Sequence, residues 1–309
     1  MTAALLRDDE AELDRILRAG SKTFHFASRA LPRRIRRPTM ALYAFCRHAD
    51  DAVDDAPDRD GARIAVDALR ARIERVYTDR ALDSVVERAF ATVVREHEIP
   101  RAEPELLAEG MEWDVEGRRY DSLDDVRAYA LRVAGTVGVM MTYIMGPRDA
   151  LVLERARDLG IAMQLTNIAR DVGADARIGR VYLPADWLQE GGTDPEELVA
   201  HPTADAGVRG SVARLLAEAD VHYARADEGI AHLPADCRIA IRAARLVYAE
   251  IGNVVRARGF DSVSSRAVVP LWRKMTLMMK ALGARTWRPR ALGPALLASG
   301  SVSGLERSA

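Results

Sequence analysis

A chain of 309 residues, 49% of them hydrophobic, has ample material for a core, and its formal net charge of −1 argues against a general nucleic-acid binder. No stretch offers the ~18 uncharged apolar residues expected of a membrane span, and the opening MTAALLRDDEAELDRIL lacks the basic start and apolar run of a signal peptide. Cys46 and Cys237 lie far apart in apolar helical contexts, which predicts two buried thiols and a reducing, cytoplasmic compartment.

Helical periodicity runs throughout, and no stretch of alternating β-branched residues competes with it, so the expected fold is all-α. Residues 4–19 predict a first amphipathic helix ended by Gly20, and Ser21 suits the N-cap of a short helix to about Ala30. Pro32 breaks the chain, and Pro38 fits the first turn of a long helix to about Asp55. Helices follow over 60–77, 83–97 and 104–117, the last containing Trp113, Asp114 and Glu116. Ser122 with Asp125 resembles a capping box that opens a helix to about Met145, whose centre, AGTVGVMM, is rich in small residues that suit close packing. The helix over 149–175 ends where Gly173 and Gly179 release the chain into a loop reaching Leu183–Pro184. Helices over 205–231, 235–258 and 265–282 complete the set. The expected organisation is one helical domain over 1–285 with a flexible tail over 286–309.

Chemistry concentrates in QLTNIARDVGADARIGRVYLP, residues 164–184. Gln164, Asn167, Asp171 and Asp175 stand at i, i+3, i+7 and i+11, which puts four oxygen-bearing side chains on one helical stripe. Leu165, Ile168 and Val172 occupy the neighbouring apolar positions. Two carboxylates one turn apart repel each other, and a cation between them reverses the sign. Oxygen donors without Cys or His point to Mg2+, with Mn2+ as the substitute. A solvated polar face is the alternative for one such pair. A second stripe weakens it: Tyr43, Arg47, Asp50 and Asp54 fall at i, i+4, i+7 and i+11, with Asp51 and Asp55 beside them. These acids grow out of the apolar run MALYAFC, which solubility alone explains poorly. Arg47, Arg170 and Arg180 flank the two clusters, as suits a site that holds a cation together with a diphosphate. No Walker loop, GxGxxG, HExxH, CxxC pair or GxSxG elbow is present, so nucleotide binding is disfavoured.

The stretches SKTFHFASRALP, ALYAFCRHADDAVDD, RVAGTVG, QLTNIARDVGADARIGRVYLP, RLVYAEIG and SRAVVP resemble the squalene/phytoene synthase family, in the family's order over about residues 20–270. One departure is Ala174, where the family usually has glutamate in DVGED. The resemblance implies a single-domain isoprenoid-synthase-type helical bundle around a central apolar cavity. It implies Mg2+ held by Asp50, Asp54, Asn167, Asp171 and Asp175. It places Arg47, Arg170, Tyr248 and Arg266 on prenyl diphosphates, with Ser21 and Thr23 at the entrance. Tyr43, Phe24, Tyr129, Val133, Gln164 and Tyr182 line the reacting centre. The implied reaction couples two geranylgeranyl diphosphates head to head, through a cyclopropyl diphosphate, to phytoene without a nucleotide cofactor. Coupling of two farnesyl diphosphates is the alternative; a non-catalytic helical assembly factor is another. Prenyl diphosphates, and downstream carotenoid enzymes, are the implied partners. Trp272 and Trp287 with Arg273, Lys274, Lys280, Arg285, Arg288 and Arg290 suggest peripheral contact with the inner face of an anionic membrane.

Overall fold

Why this chain folds as helices is visible at their ends and along their buried faces. The computed structural model describes residues 31–283 apart from 79 and 81, together with Leu13 and Arg15. Apart from Leu13 and Arg15, which are helical, the expected helix over 4–19 lies outside the described residues, as do the helix over 21–30, the tail over 286–309, and Ser21, Thr23 and Phe24. Among the described residues every regular element is helical.

Helix α1 (Arg33–Asp54) starts five residues before Pro38, directly after Pro32, so Pro38 stands inside the helix rather than at its head. It buries Ile35, Leu42, Phe45, Ala49 and Val53, a spacing that turns one face inward. Helices α2 (Arg59–Tyr77) and α3 (Val85–His97) are N-capped by the side chains of Asp58 and Ser84, which accept from the amides of Gly61 and Glu87. Phe45 stacks on Phe90 of α3 at 4.0 Å between ring centroids. Helix α4 (Ala102–Glu116) closes this half of the core.

Ser122 and Asp125 form the expected capping box at the head of α5 (Leu123–Ala130). A π-helical turn, Leu131–Gly135, then leads directly into α6 (Thr136–Met145). This continuous stretch has the length and hydropathy to cross a bilayer, unlike the expectation from uncharged runs, but 56% of its apolar window is buried within the protein. It is a core helix, and its neighbour is the long helix α7 (Ala150–Arg177). The small residues serve this contact. A Cβ on Gly138 would lie 2.3 Å from the Ala156 carbonyl oxygen, and one on Gly160 would lie 2.2 Å from that of Ala134. Close helix packing is therefore the reason for the small-residue run.

Two short helices that periodicity does not single out, α8 (Ala185–Glu190) and α9 (Pro195–Ala200), precede α10 (Ala206–Ile230), α11 (Ala235–Ala257) and α12 (Leu271–Gly283). Gly173 does not end α7, which continues to Arg177. Its missing side chain instead admits another strand of backbone. The Gly173 amide donates to the Ser262 carbonyl (3.1 Å), and a Cβ there would lie 2.5 Å from the Val263 carbonyl oxygen. The segment over 262–270 is thus a docked loop and not the first turns of a helix over 265–282. Pro270 precedes the real helix start at Leu271.

Candidate active site

Tyr43 and Asp50 of one stripe and Gln164 and Asn167 of the other line an apolar cavity that offers about 300 Å³ to the centres of water molecules; Asp54, Asp171 and Asp175 follow on the same helices, outside that lining. Helix α1 enters it with Thr39 and Leu42 at depth and Tyr43 and Asp50 nearer the opening. Helix α7 runs the same way, from Val152 to Gln164 and Asn167. Helix α6 and its π-turn descend in the opposite sense, from Val133 to Met145. A π-turn often marks a functional position, and here it carries Val133 into the cavity wall. Helix α11 contributes Tyr248. Leu165, Ile168 and Val172 are buried as their positions predict, which holds the polar stripe of α7 at the core's edge.

Each acid has a different electrostatic state. The accessible surface of Asp50 faces the cavity; burial, the nearby Asp54 and, against them, Arg47 together push its pKa up to about 7. Burial and Asp171 likewise push Asp175 up to about 7. Burial would raise Asp171 too, but hydrogen bonds from Arg170 and Arg266 outweigh it and hold the carboxyl below its usual range. Arg170 pairs with both carboxylate oxygens, and Arg266 approaches them at 2.7 and 3.1 Å. Arg266 is 62% exposed at its side chain, so this partner is the one with room to move. Arg47 pairs with Asp51 at 2.5 Å rather than with Asp50 or Asp54.

A pH dependence follows. A carboxyl raised from 3.8 to about 7 binds more protons folded than unfolded across that window, so stability falls as pH rises through it. Buried His222, raised by Asp158 and Glu218 against its desolvation, contributes fully below pH 6.5 and loses its contribution as pH rises further. Both effects have one sign. The protein is expected to melt at a lower temperature at pH 8 than at pH 5.5, and Asp175→Asn to flatten part of that slope in a thermal melt.

Asp114 is the residue that sequence reading passed over. It accepts hydrogen bonds from Tyr129 and Tyr182, both at 2.8 Å, and burial raises its pKa in spite of them. The rings of Tyr120, Tyr129 and Tyr182 stand 5.1–5.6 Å apart around it. Tyr129 and Tyr182, which the resemblance implies at the reacting centre, hold Asp114 there, and neither is among the residues that line the cavity. Asp114 in turn feels Asp54 and Arg180, and its charge reaches Asp50 and Asp175. Arg180 bridges the two rows: its guanidinium reaches Asp54 (3.2 Å) and its amide donates to the Asp175 carbonyl (2.9 Å). The sequence offers no signal that separates Asp114 from the five glutamates of the same helix.

Among the described residues no group of three or more His, Cys, Asp or Glu is close enough to hold a metal ion unaided. The donor set nevertheless fits a divalent cation. Asp50, accessible from the cavity and crowded by Asp54, and half-buried Asp175, crowded by Asp171, carry negative charge that a hard cation would offset, with water and diphosphate oxygens completing its shell.

Fold and site define an isoprenoid-synthase-type helical protein. The family model for squalene/phytoene synthase matches residues 17–273. The phytoene synthase of Cereibacter sphaeroides is 49% identical over 294 residues, 92% of this chain and 82% of its own. The 15-cis-phytoene synthase of a Paracoccus species is 44% identical over 80% of this chain and 82% of its own. A dehydrosqualene synthase solved with a ligand superposes with a TM-score of 0.82 at 28% identity, over 90% of this chain and 96% of that one. This chain belongs to the squalene/phytoene synthase family.

Proposed function

We propose that the protein couples two geranylgeranyl diphosphates head to head to phytoene. The observation that carries this reading is the pair of acidic stripes, on α1 and α7, which begin in the lining of an apolar cavity and continue past it among arginines. Mg2+ bound there would neutralise the diphosphates and assist their departure. Asp50, Asp54, Asn167, Asp171 and Asp175 are the residues that would hold it. Arg47, Arg170, Arg180 and Arg266 bind and orient phosphate oxygens, with Arg266 exchanging Asp171 for a phosphate. The first condensation expels one diphosphate and one proton and leaves a cyclopropyl diphosphate. Ionisation of that intermediate then expels the other diphosphate, and rearrangement of the carbon skeleton with loss of a second proton gives the hydrocarbon. Apolar walls keep water from the allylic cation, and Tyr43 and Tyr248 add aromatic rings to the same lining, where a ring face can stabilise positive charge.

Cavity depth supports the C20 substrate. At ~1.5 Å per residue, Thr39–Asp50, Val133–Met145 and Val152–Asn167 span about 16, 18 and 22 Å. Carbon chains extend about 1.2 Å per bond, the spacing behind ~3.5 Å per peptide unit, so four isoprene units reach roughly 19 Å and three roughly 14 Å. The test is incubation of purified protein and Mg2+ with each labelled diphosphate. Phytoene from the C20 substrate is expected; hydrocarbon only from farnesyl diphosphate, or none from either, would overturn the reading. Filling the deep end with Val152→Phe is expected to reduce C20 turnover about tenfold, the scale of a misfitted side chain, while sparing C15 turnover in the same assay.

A further inference from the structure

We propose that Arg155 is the end stop of the cavity, the residue that limits how long a prenyl chain it admits. The inference rests on the reading of the cavity as a prenyl diphosphate site and assigns to it the residue that measures length. Among the described residues the cavity lining contains two charged side chains, Asp50 and Arg155. Asp50 stands near the opening, where the reaction has a use for it. Arg155 stands twelve positions before Asn167 on α7, about 18 Å deeper along the helix axis. No step of the reaction needs a charge at that depth, so this arginine has another task.

Its partners show what that task is. One guanidinium nitrogen of Arg155, Nη1, donates to Asp158 at 2.7 Å and to Glu154 at 3.1 Å, and its Nε stands 3.3 Å from a Glu228 carboxylate oxygen. None of these three acids lines the cavity, so the charge is drawn away from it and the apolar stem is what a ligand meets. Asp158 is buried, whereas Glu154 and Glu228 are exposed. The head group therefore reaches from the interior to the surface, and the stem is what separates this end of the cavity from water. Gly229, at the end of α10, clamps the stem from the other side. A Cβ there would lie 2.4 Å from the Arg155 Cβ and 3.2 Å from its Cγ, so the α10 backbone presses on the stem at a distance that only glycine permits. An unanchored apolar side chain at an end wall yields to a longer ligand by changing rotamer. Arg155 swings aside only by giving up charge-assisted bonds, which makes it a wall that holds its place.

Calorimetric titration with unreactive S-thiolodiphosphate analogues of geranylgeranyl (C20) and geranylfarnesyl (C25) diphosphate, in Mg2+, tests this without turnover. The full-length parent is expected to bind the C25 analogue about tenfold more weakly than the C20 analogue, the scale on which a closed pocket rejects extra methylenes. Arg155→Ala is expected to raise the C25-to-C20 affinity ratio about tenfold, because the added isoprene unit then runs out between Glu154 and Glu228. Removing the arginine strands buried Asp158, so the double variant Arg155→Ala, Asp158→Asn is titrated beside it, with a thermal melt to verify each fold. A merely structural arginine would weaken both analogues alike and leave the ratio where it was. An unchanged ratio in the folded variant would overturn the proposal, as would a parent that binds both lengths equally or neither. A parent that shows the length gap yet forms no phytoene from the C20 substrate would refute the reaction and leave the end stop standing.

Discussion

Asp50→Asn is expected to lower hydrocarbon formation by about a thousandfold while raising the melting temperature at pH 8. The two effects share a cause. Asp50 is held where burial and Asp54 disfavour its charge, so above pH 7 the ligand-free fold carries an ionised group that it poorly accommodates. Asparagine keeps the shape, removes that charge and relieves Asp54. The same unfavourable charge is what a divalent cation and a diphosphate would use, so the stabilised variant lacks the donor that the reaction needs. A functional acid and a structural acid are separated by this sign, because loss of a structural ion pair lowers both stability and rate. Rate and melt measured on one preparation decide the matter. A lower melting temperature at pH 8, or turnover within a few-fold of the parent, would remove Asp50 from its role. Gradual loss of the stability gain as pH falls below 7 would confirm that the protonation state of this carboxyl is responsible, since the protonated parent already lacks the charge.

Gly173→Ala is expected to destabilise the fold by roughly 1–3 kcal/mol and to slow the reaction about ten- to a hundredfold. The added methyl would meet the Val263 carbonyl oxygen, Cα and carbonyl carbon at 2.5, 2.6 and 3.0 Å. All three are backbone atoms, so no side-chain rotation relieves the contact and the segment over 262–266 must move. That segment delivers Arg266 to Asp171. Asp261 organises it by accepting from the amides of Val263 and Ser264, and Arg177 of α7 reaches the Val263 carbonyl at 3.1 Å. Displacement therefore propagates to the arginine and leaves Asp171 with Arg170 alone. Arg266→Ala should reproduce the rate loss with little change in melting temperature, because its side chain is mostly exposed. If the glycine acts through the arginine, the double variant is no slower than the slower single one. Additive rate losses would show that Gly173 acts by another route.

Ala174 bears on the same helix. It is exposed, one position before Asp175, on a face turned away from the buried Val172, Gly173 and Ala176. No packing constraint explains alanine at this position, where the family pattern has glutamate, and the spacing of Asp171 and Asp175 on α7 is unaffected by it.

How much of this was legible beforehand depended on the range over which each feature is encoded. Helix existence, the two stripes and the burial of Leu165, Ile168 and Val172 follow from a period of 3.6 residues, which any window of a dozen residues contains. The capping box at Ser122 is equally local, requiring only residues three apart. The likeness carried by RDVGADARIGRVYLP named the chemistry because metal and phosphate ligation demands particular side chains at particular steps. The tertiary structure alone decided what the glycines were for. Gly173 is a helix breaker by propensity, at a cost of about 1 kcal/mol, but its docking with Val263 decides in favour of the helix. The same holds for Asp114, whose position in α4 gives no hint of Tyr182, 68 residues on. Its role exists only once α4, α5 and the loop after α7 converge. Helix α12 shows the converse: its sequence announces two apolar faces, and only packing on α11 reveals which one the protein keeps and which it leaves uncovered. Local periodicity sets which side chains share a face, but the free energy that chooses one face's partner arises from surfaces far apart in the chain.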